Sequence, residues 1–268
     1  MIVIAHALAV TCFLAAAGLA AVPFARPIAA PVRGVVWLLA AGVAAHGVAL
    51  GTFTHVHGVP PLTGLGPALS FAGFLVALSL LVVEVLAREV SLTLVAAPLA
   101  AVLVVFATAA GMTPYHEPSG LRGLWLGAHV LLSFLGIASF ATAAGAGAMY
   151  LLERRELKSR RFGAIFRFFP PLATLDRVNH LAVIAGWLTL TVGTGLAGAY
   201  SVVYHAGHPV KVIWALTAWA AVTTVTAGRV VAGWQARRAA VVTGTLFVGV
   251  IVLYVAFRVL DTRSGQFL

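Results

Sequence analysis

A chain of 268 residues with 62% hydrophobic and only 9% charged residues, at a mean hydropathy of +1.05, lacks the polar surface to cover a water-soluble core. The formal charge of +10 would point to nucleic acid in a soluble protein, but here the cations sit between apolar runs. In that position they orient a membrane protein and meet anionic lipid headgroups.

The apolar runs are continuous rather than alternating, which excludes a β-barrel. They predict an all-α, polytopic integral membrane bundle of about eight transmembrane helices, read as a single transmembrane domain over 1–268. The spans fall at roughly 2–22, 35–53, 67–87, 91–112, 123–152, 177–202, 210–229 and 239–260. Small residues from Ala15 to Ala20 give the first run some likeness to a signal peptide. No cation precedes it, so an uncleaved first helix is expected. It carries the single cysteine, Cys12, which excludes disulfide, Cys-x-x-Cys and thiolate-metal chemistry and reads as a small buried hydrophobe.

The second run sets His46 among apolar residues. In the fourth, Pro98 is expected to kink the helix. The fifth holds Gly127-Ala128-His129-Val130-Leu131-Leu132-Ser133-Phe134-Leu135-Gly136, with Trp125, His129, Ser133 and Gly136 on one helical stripe. A segment over 153–176 is basic but carries Leu157, Phe162, Ile165, Phe166, Phe168 and Phe169, and Pro170-Pro171 ends it. Cations interleaved with aromatics predict an amphipathic cytoplasmic loop lying in the headgroup layer. Gly186, Gly193, Gly195 and Gly198 let the sixth helix approach its neighbours or a flat ligand closely. Trp125 and Trp234 read as interfacial anchors. No internal repeat argues for an inverted-repeat transporter.

Most cations follow the odd-numbered runs, and only Arg122, Lys211, Arg258 and Arg263 fall on the other side. The positive-inside rule then puts both termini on the outer side of a bacterial-type cytoplasmic membrane. On that topology His55, His57, His116, His205 and His208 lie in outer loops, and His6 is near the outer end of the first helix. His180, at the inner end of the sixth, breaks the outward bias. His46 and His129 each lie about six or seven residues below the outer end of their spans, roughly 9–10 Å at ~1.5 Å per residue.

Two imidazoles at matching depth on different helices are what paired axial ligation of a haem iron requires. His46 and His129 are therefore the candidate metal ligands, and haem b the candidate cofactor. Gly42, Ala45 and Ala49 near His46, and Ser133 and Gly136 below His129, are small enough to leave room for a macrocycle. The same pattern serves ordinary helix packing, and an intramembrane histidine can simply bond a neighbouring helix for ~0.6–2 kcal/mol. His205 and His208, flanking Ala206-Gly207, are candidates for further cofactor contacts, whereas His55, His57 and His116 read as solvated.

The acidic residues Glu84, Glu89, Glu117, Glu153, Glu156, Asp176 and Asp261 all map to helix ends or loops. An ion-coupled transporter would keep a carboxylate near the midplane. No Gly-rich phosphate loop, Ser/His/Asp set or zinc-type motif points to hydrolytic or nucleotide chemistry.

Several stretches, in order, resemble one family. They are Ala45-His46-Gly47-Val48-Ala49-Leu50, Ala128-His129 through Ser133, Tyr150-Leu151-Leu152-Glu153-Arg154-Arg155, and Phe169-Pro170-Pro171 through Asp176-Arg177. Gly186-Trp187-Leu188-Thr189-Leu190-Thr191, Lys211 through Trp219, and Gly233-Trp234-Gln235-Ala236-Arg237-Arg238 complete the series. Together they resemble the cytochrome c assembly transmembrane family, CcsA-like, and within it the HemX/YpjD branch.

The resemblance implies a bundle of eight helices that holds or handles haem b near the outer face, for cytochrome c biogenesis or haem homeostasis. It implies a carrier, chaperone or accessory subunit rather than an enzyme, with other membrane subunits of a maturation or haem-related complex as partners and no nucleic acid. His46 and His129 fall on histidine positions of the family. Two departures separate the chain from the full haem-handling members. The connection Tyr200 to Lys211 lacks their tryptophan-rich, aspartate-containing segment, and Ala227-Gly228-Arg229 stands where some members have a histidine. Outside that family the alternatives are a non-haem scaffold subunit, a small-molecule transporter, or a respiratory subunit passing electrons through bound haem.

Overall fold

The computed structural model describes residues 1–25, 31–62, 64–87, 92–114, 120–159, 169–205 and 209–264. Among these there is no strand, and eight helices are each long and apolar enough to cross a membrane. They are α1 (Ile2–Ala25), α2 (Val32–His57), α3 (Leu65–Ala87), α4 (Thr93–Ala110), α5 (Leu121–Ser159), α6 (Leu172–Tyr204), α7 (Pro209–Val230) and α8 (Ala236–Ser264). Helices are the form such runs must take, because lipid offers no partner to an exposed backbone N–H or C=O.

Local chemistry sets the helix ends. Pro31, with its fixed φ and missing N–H, precedes α2. Gly58 closes that helix at φ +70°, returning its N–H to the Thr54 carbonyl at 2.8 Å. The first turn of α4 is capped from α3. Buried Glu84 accepts from the Thr93 backbone N–H at 3.1 Å and hydroxyl at 2.7 Å, giving an acceptor to the open N-terminal turn of the helix. Pro98 is accommodated inside a continuous α4.

The basic segment expected as a loop over 153–176 is helical at both ends. Its first part continues α5 to Ser159 because Leu152-Glu153-Arg154-Arg155-Glu156-Leu157-Lys158 are strong helix formers. Its last part opens α6 at Leu172, where the Thr174 N–H bonds the Pro171 carbonyl at 2.8 Å. Phe162, Ile165, Phe166 and Phe168, with the cations among them, lie outside the described residues.

The chain divides into two compact units, Met1–Gly127 with Leu152–Thr174, and Ala128–Leu151 with Leu175–Leu268. In the first, α1 packs against α2 and α4, and α3 against α2 and α4. Close approach there depends on missing side chains. A Cβ on Gly66 would lie 2.0 Å from the Gly111 carbonyl oxygen, and one on Gly42 would lie 2.6 Å from the Phe13 ring.

The second unit has a core of Phe140, Val183, Leu190, Val222, Val225 and Val250. Two reciprocal bonds stitch α6 to α7: Trp187 Nε1 donates to Thr223 Oγ1 at 3.1 Å and Trp219 Nε1 to Thr191 Oγ1 at 3.0 Å. At one end Arg229 is ion-paired to Asp176 at 2.6 Å and donates to Asn179 Oδ1, while Asn179 Nδ2 donates to the Ala143 carbonyl at 2.6 Å. Arg229 reads in the sequence as one of the orienting cations, yet its side chain is 6% exposed. Trp234 packs on Gly228, and the Arg238 guanidinium stands 4.4 Å over its ring.

Candidate functional site

The α5 stripe and the glycines of α6 build the surroundings of His129. A Cβ on Gly193 would come within 3.1 Å of Ser133 Oγ, and one on Gly186 within 3.1 Å of the Gly136 carbonyl oxygen. The two helices therefore cross at backbone distance, as small residues permit. That crossing brings the Gly193 carbonyl to 2.8 Å from His129 Nδ1, with Ser133 Oγ 3.3 Å from the same nitrogen. A carbonyl can only accept, so Nδ1 carries a proton, and in the neutral form of the ring the lone pair lies on Nε2. Metal-binding imidazoles are oriented in this way, with the second nitrogen donated to a carbonyl or carboxylate. The ring is half-buried.

The surroundings of His46 are different. The residue is fully buried on α2, and its Nε2 lies 3.0 Å from Ser70 Oγ of α3. His6 Nε2 of α1 lies 2.7 Å from the same oxygen, and His6 Nδ1 lies 2.9 Å from the Ile2 carbonyl oxygen. The His6 and His46 rings meet edge-on with centroids 5.3 Å apart, and Phe74 stands edge-on to His46 at 5.6 Å. His46 Nδ1 is buried without a hydrogen-bond partner among the described residues.

The other expected site residues divide. Ser133 is brought to His129, whereas Gly136, one turn further on, faces Leu190, whose Cγ would lie 2.3 Å from an added Cβ. The room expected beside Gly42 is filled by Phe13, because a helix lacking a side chain there draws its neighbour in. Exposed His205 ends α6 at φ +50°, and His208 and His116 lie outside the described residues. His55 and His57 are exposed at the end of α2. Among the described residues no group of three or more His, Cys, Asp and Glu is disposed to hold a metal ion.

A haem iron takes neutral imidazole nitrogens. His129 fits that requirement through its bare Nε2. His46 offers an orphaned buried nitrogen at Nδ1, while its Nε2 is occupied by Ser70. Ser70 is the residue that sequence reasoning missed. Its only signal was a hydroxyl in an apolar span, which must find a partner inside the protein.

Comparison with known proteins gives one family, described as Cytochrome C assembly protein, which matches residues 64–263. The match takes in Ser70, His129, Ser133, Gly136 and Gly193, and leaves out α1 and α2 with His6 and His46. A relative from Azospirillum brasilense, described as an uncharacterized 28.8 kDa protein in a nifR3-like 5′ region, is 33% identical over 102 residues. That alignment covers 37% of this chain and 36% of the relative, so the chain spans about a third of that protein's length. No solved structure matches.

Proposed function

The chain belongs to the cytochrome c assembly protein family, and from that premise we propose that it binds haem b in the membrane and handles it for cytochrome c biogenesis or haem homeostasis. Family membership points to a role in cytochrome c biogenesis, and the eight apolar helices make it a multi-pass membrane protein in contact with lipid.

The observation that supports the haem reading is His129, whose Nδ1–H is held by the Gly193 carbonyl, the arrangement that turns Nε2 of a neutral ring into the ligating nitrogen. Haem held here would supply an iron that imidazole nitrogen can ligate. His129 provides the standing ligand, Gly193 fixes its ring, and the apolar spans keep water from the site. His46 is the second ligand in this reading, supported by its depth in the second span. The protein acts as carrier, chaperone or accessory subunit beside other membrane subunits, in the manner of the HemX/YpjD branch. The distribution of its cations supports a bacterial-type cytoplasmic membrane with both termini outside.

Absorption of the detergent-purified protein from haem-replete cells tests this. A Soret band and the sharp reduced bands of six-coordinate haem b are expected. A colourless preparation would favour a non-haem scaffold or transporter.

A further inference from the structure

A groove runs between α6 and α7 of the second unit, and His129 is not among its walls. Ile184 and Trp187 face Thr226, Ala227, Val230 and Val231 across a space of about 290 Å³. Its polar groups are spent within the protein. Trp187 Nε1 donates to Thr223 Oγ1 at 3.1 Å at the end away from Val231, and Thr226 Oγ1 donates to the Val222 carbonyl at 2.9 Å. A wall whose donors and hydroxyls are already bonded takes hydrocarbon in preference to a polar ligand. Thr223 to Val231 spans about 12 Å along α7 at ~1.5 Å per residue, close to the ~15 Å of hydrocarbon in one leaflet.

The groove opens among cations. Val230 and Val231 are exposed at its mouth. Arg177, His180, Ile184 and Trp187 recur at helical spacing and share one face of α6. Arg177 and His180 thus continue the wall toward the first turn of α6, which the Arg229–Asp176 pair holds beside the last turn of α7. Exposed Arg237 and Arg238 open α8 at the same end. Asp176 and Asp261 are the acidic residues of this unit. Asp176 is taken by Arg229, and Asp261 lies near the far end of α8.

We propose that this groove binds an anionic phospholipid, with one acyl chain lying against Trp187 and the phosphate resting on Arg177 and His180. A hydrocarbon trough that ends at cations matches a molecule apolar along its length and anionic at one end. A neutral lipid leaves the arginines unanswered, and a soluble anion leaves the trough unfilled. The site also gives a role to His180, the histidine that stands apart from the others at the basic end of α6. It does not depend on haem.

Native mass spectrometry of the full chain in detergent tests it, with phosphatidylglycerol and phosphatidylcholine of identical chains. One phosphatidylglycerol is expected to bind more tightly than its neutral counterpart. Arg177→Gln is expected to weaken that binding about fivefold, the effect of one cation beside a headgroup. Ala227→Trp fills the trough from an exposed position that leaves the core untouched. It is expected to weaken binding by more than about tenfold, because several methylenes lose their seat. Lys211→Gln, at the other end of the unit, is expected to leave binding at the wild-type level.

Equal retention of the two lipids overturns the proposal, as does wild-type affinity in either Arg177→Gln or Ala227→Trp. A loss in Lys211→Gln as large as that in Arg177→Gln makes the effect one of net charge and overturns it too. Glycerol phosphate without chains is expected not to displace the lipid. Displacement at matched concentration would reduce the site to a headgroup contact and likewise overturn it.

Discussion

If His129 holds haem as proposed, replacing it with alanine is expected to yield a purified protein without haem. His129 presents the bare Nε2 described above, and alanine offers no nitrogen in its place. Partners that merely orient a ligand are worth about 10–100-fold in metal affinity, so losing the ligand itself lowers retention by more than about 100-fold. The check is Soret absorbance per mole of folded protein, with thermal unfolding as the control for fold. The core of the second unit is built on Phe140, Val183, Leu190 and Val222 and does not include His129, so the variant is expected to fold. A His129→Ala protein that retains wild-type haem would remove His129 from the site.

Replacing Arg229 with methionine lowers the stability of the second unit by about 2–3 kcal/mol. Methionine keeps much of the apolar stem and removes the charge. The Asp176 carboxylate then loses its cation, and Asn179 loses the donor to its Oδ1 while its Nδ2 remains tied to the Ala143 carbonyl. Removing one partner from a fully buried pair costs about 3–5 kcal/mol. Asp176 is 34% exposed, so water recovers part of that loss. Thermal or denaturant unfolding in detergent reads the effect. Asn179 and Gly193 lie about 20 Å apart along α6 at ~1.5 Å per residue, so haem retention per folded molecule is expected to stay at the wild-type level. An unchanged midpoint would mean that the pair contributes no net stability.

The helices were legible because the same physics writes them into sequence and structure. A run of Ala, Leu and Val long enough to cross lipid has no other backbone solution. The extension of α5 to Ser159 was not, because hydropathy sees where a run stops being apolar and not where helix formers stop. The His129, Ser133 and Gly136 stripe was readable from helical spacing alone, and the glycines of α6 announced a close approach. What the glycines could not announce was that the Gly193 carbonyl would accept from a ring 64 positions earlier in the chain. The bond of Ser70 to His6 spans the same separation and was invisible for the same reason, since tertiary pairing leaves no local period. Arg229 was legible as a cation but not as a buried one, because counting charges in loops records sign and side and not depth.

The most direct test of paired ligation is near-infrared magnetic circular dichroism of the ferric, haem-loaded protein, read together with its electron paramagnetic resonance spectrum. Bis-imidazole low-spin iron is predicted for the wild type, changing in both His46→Ala and His129→Ala. High-spin iron, or a bis-imidazole signature untouched by either substitution, would contradict it.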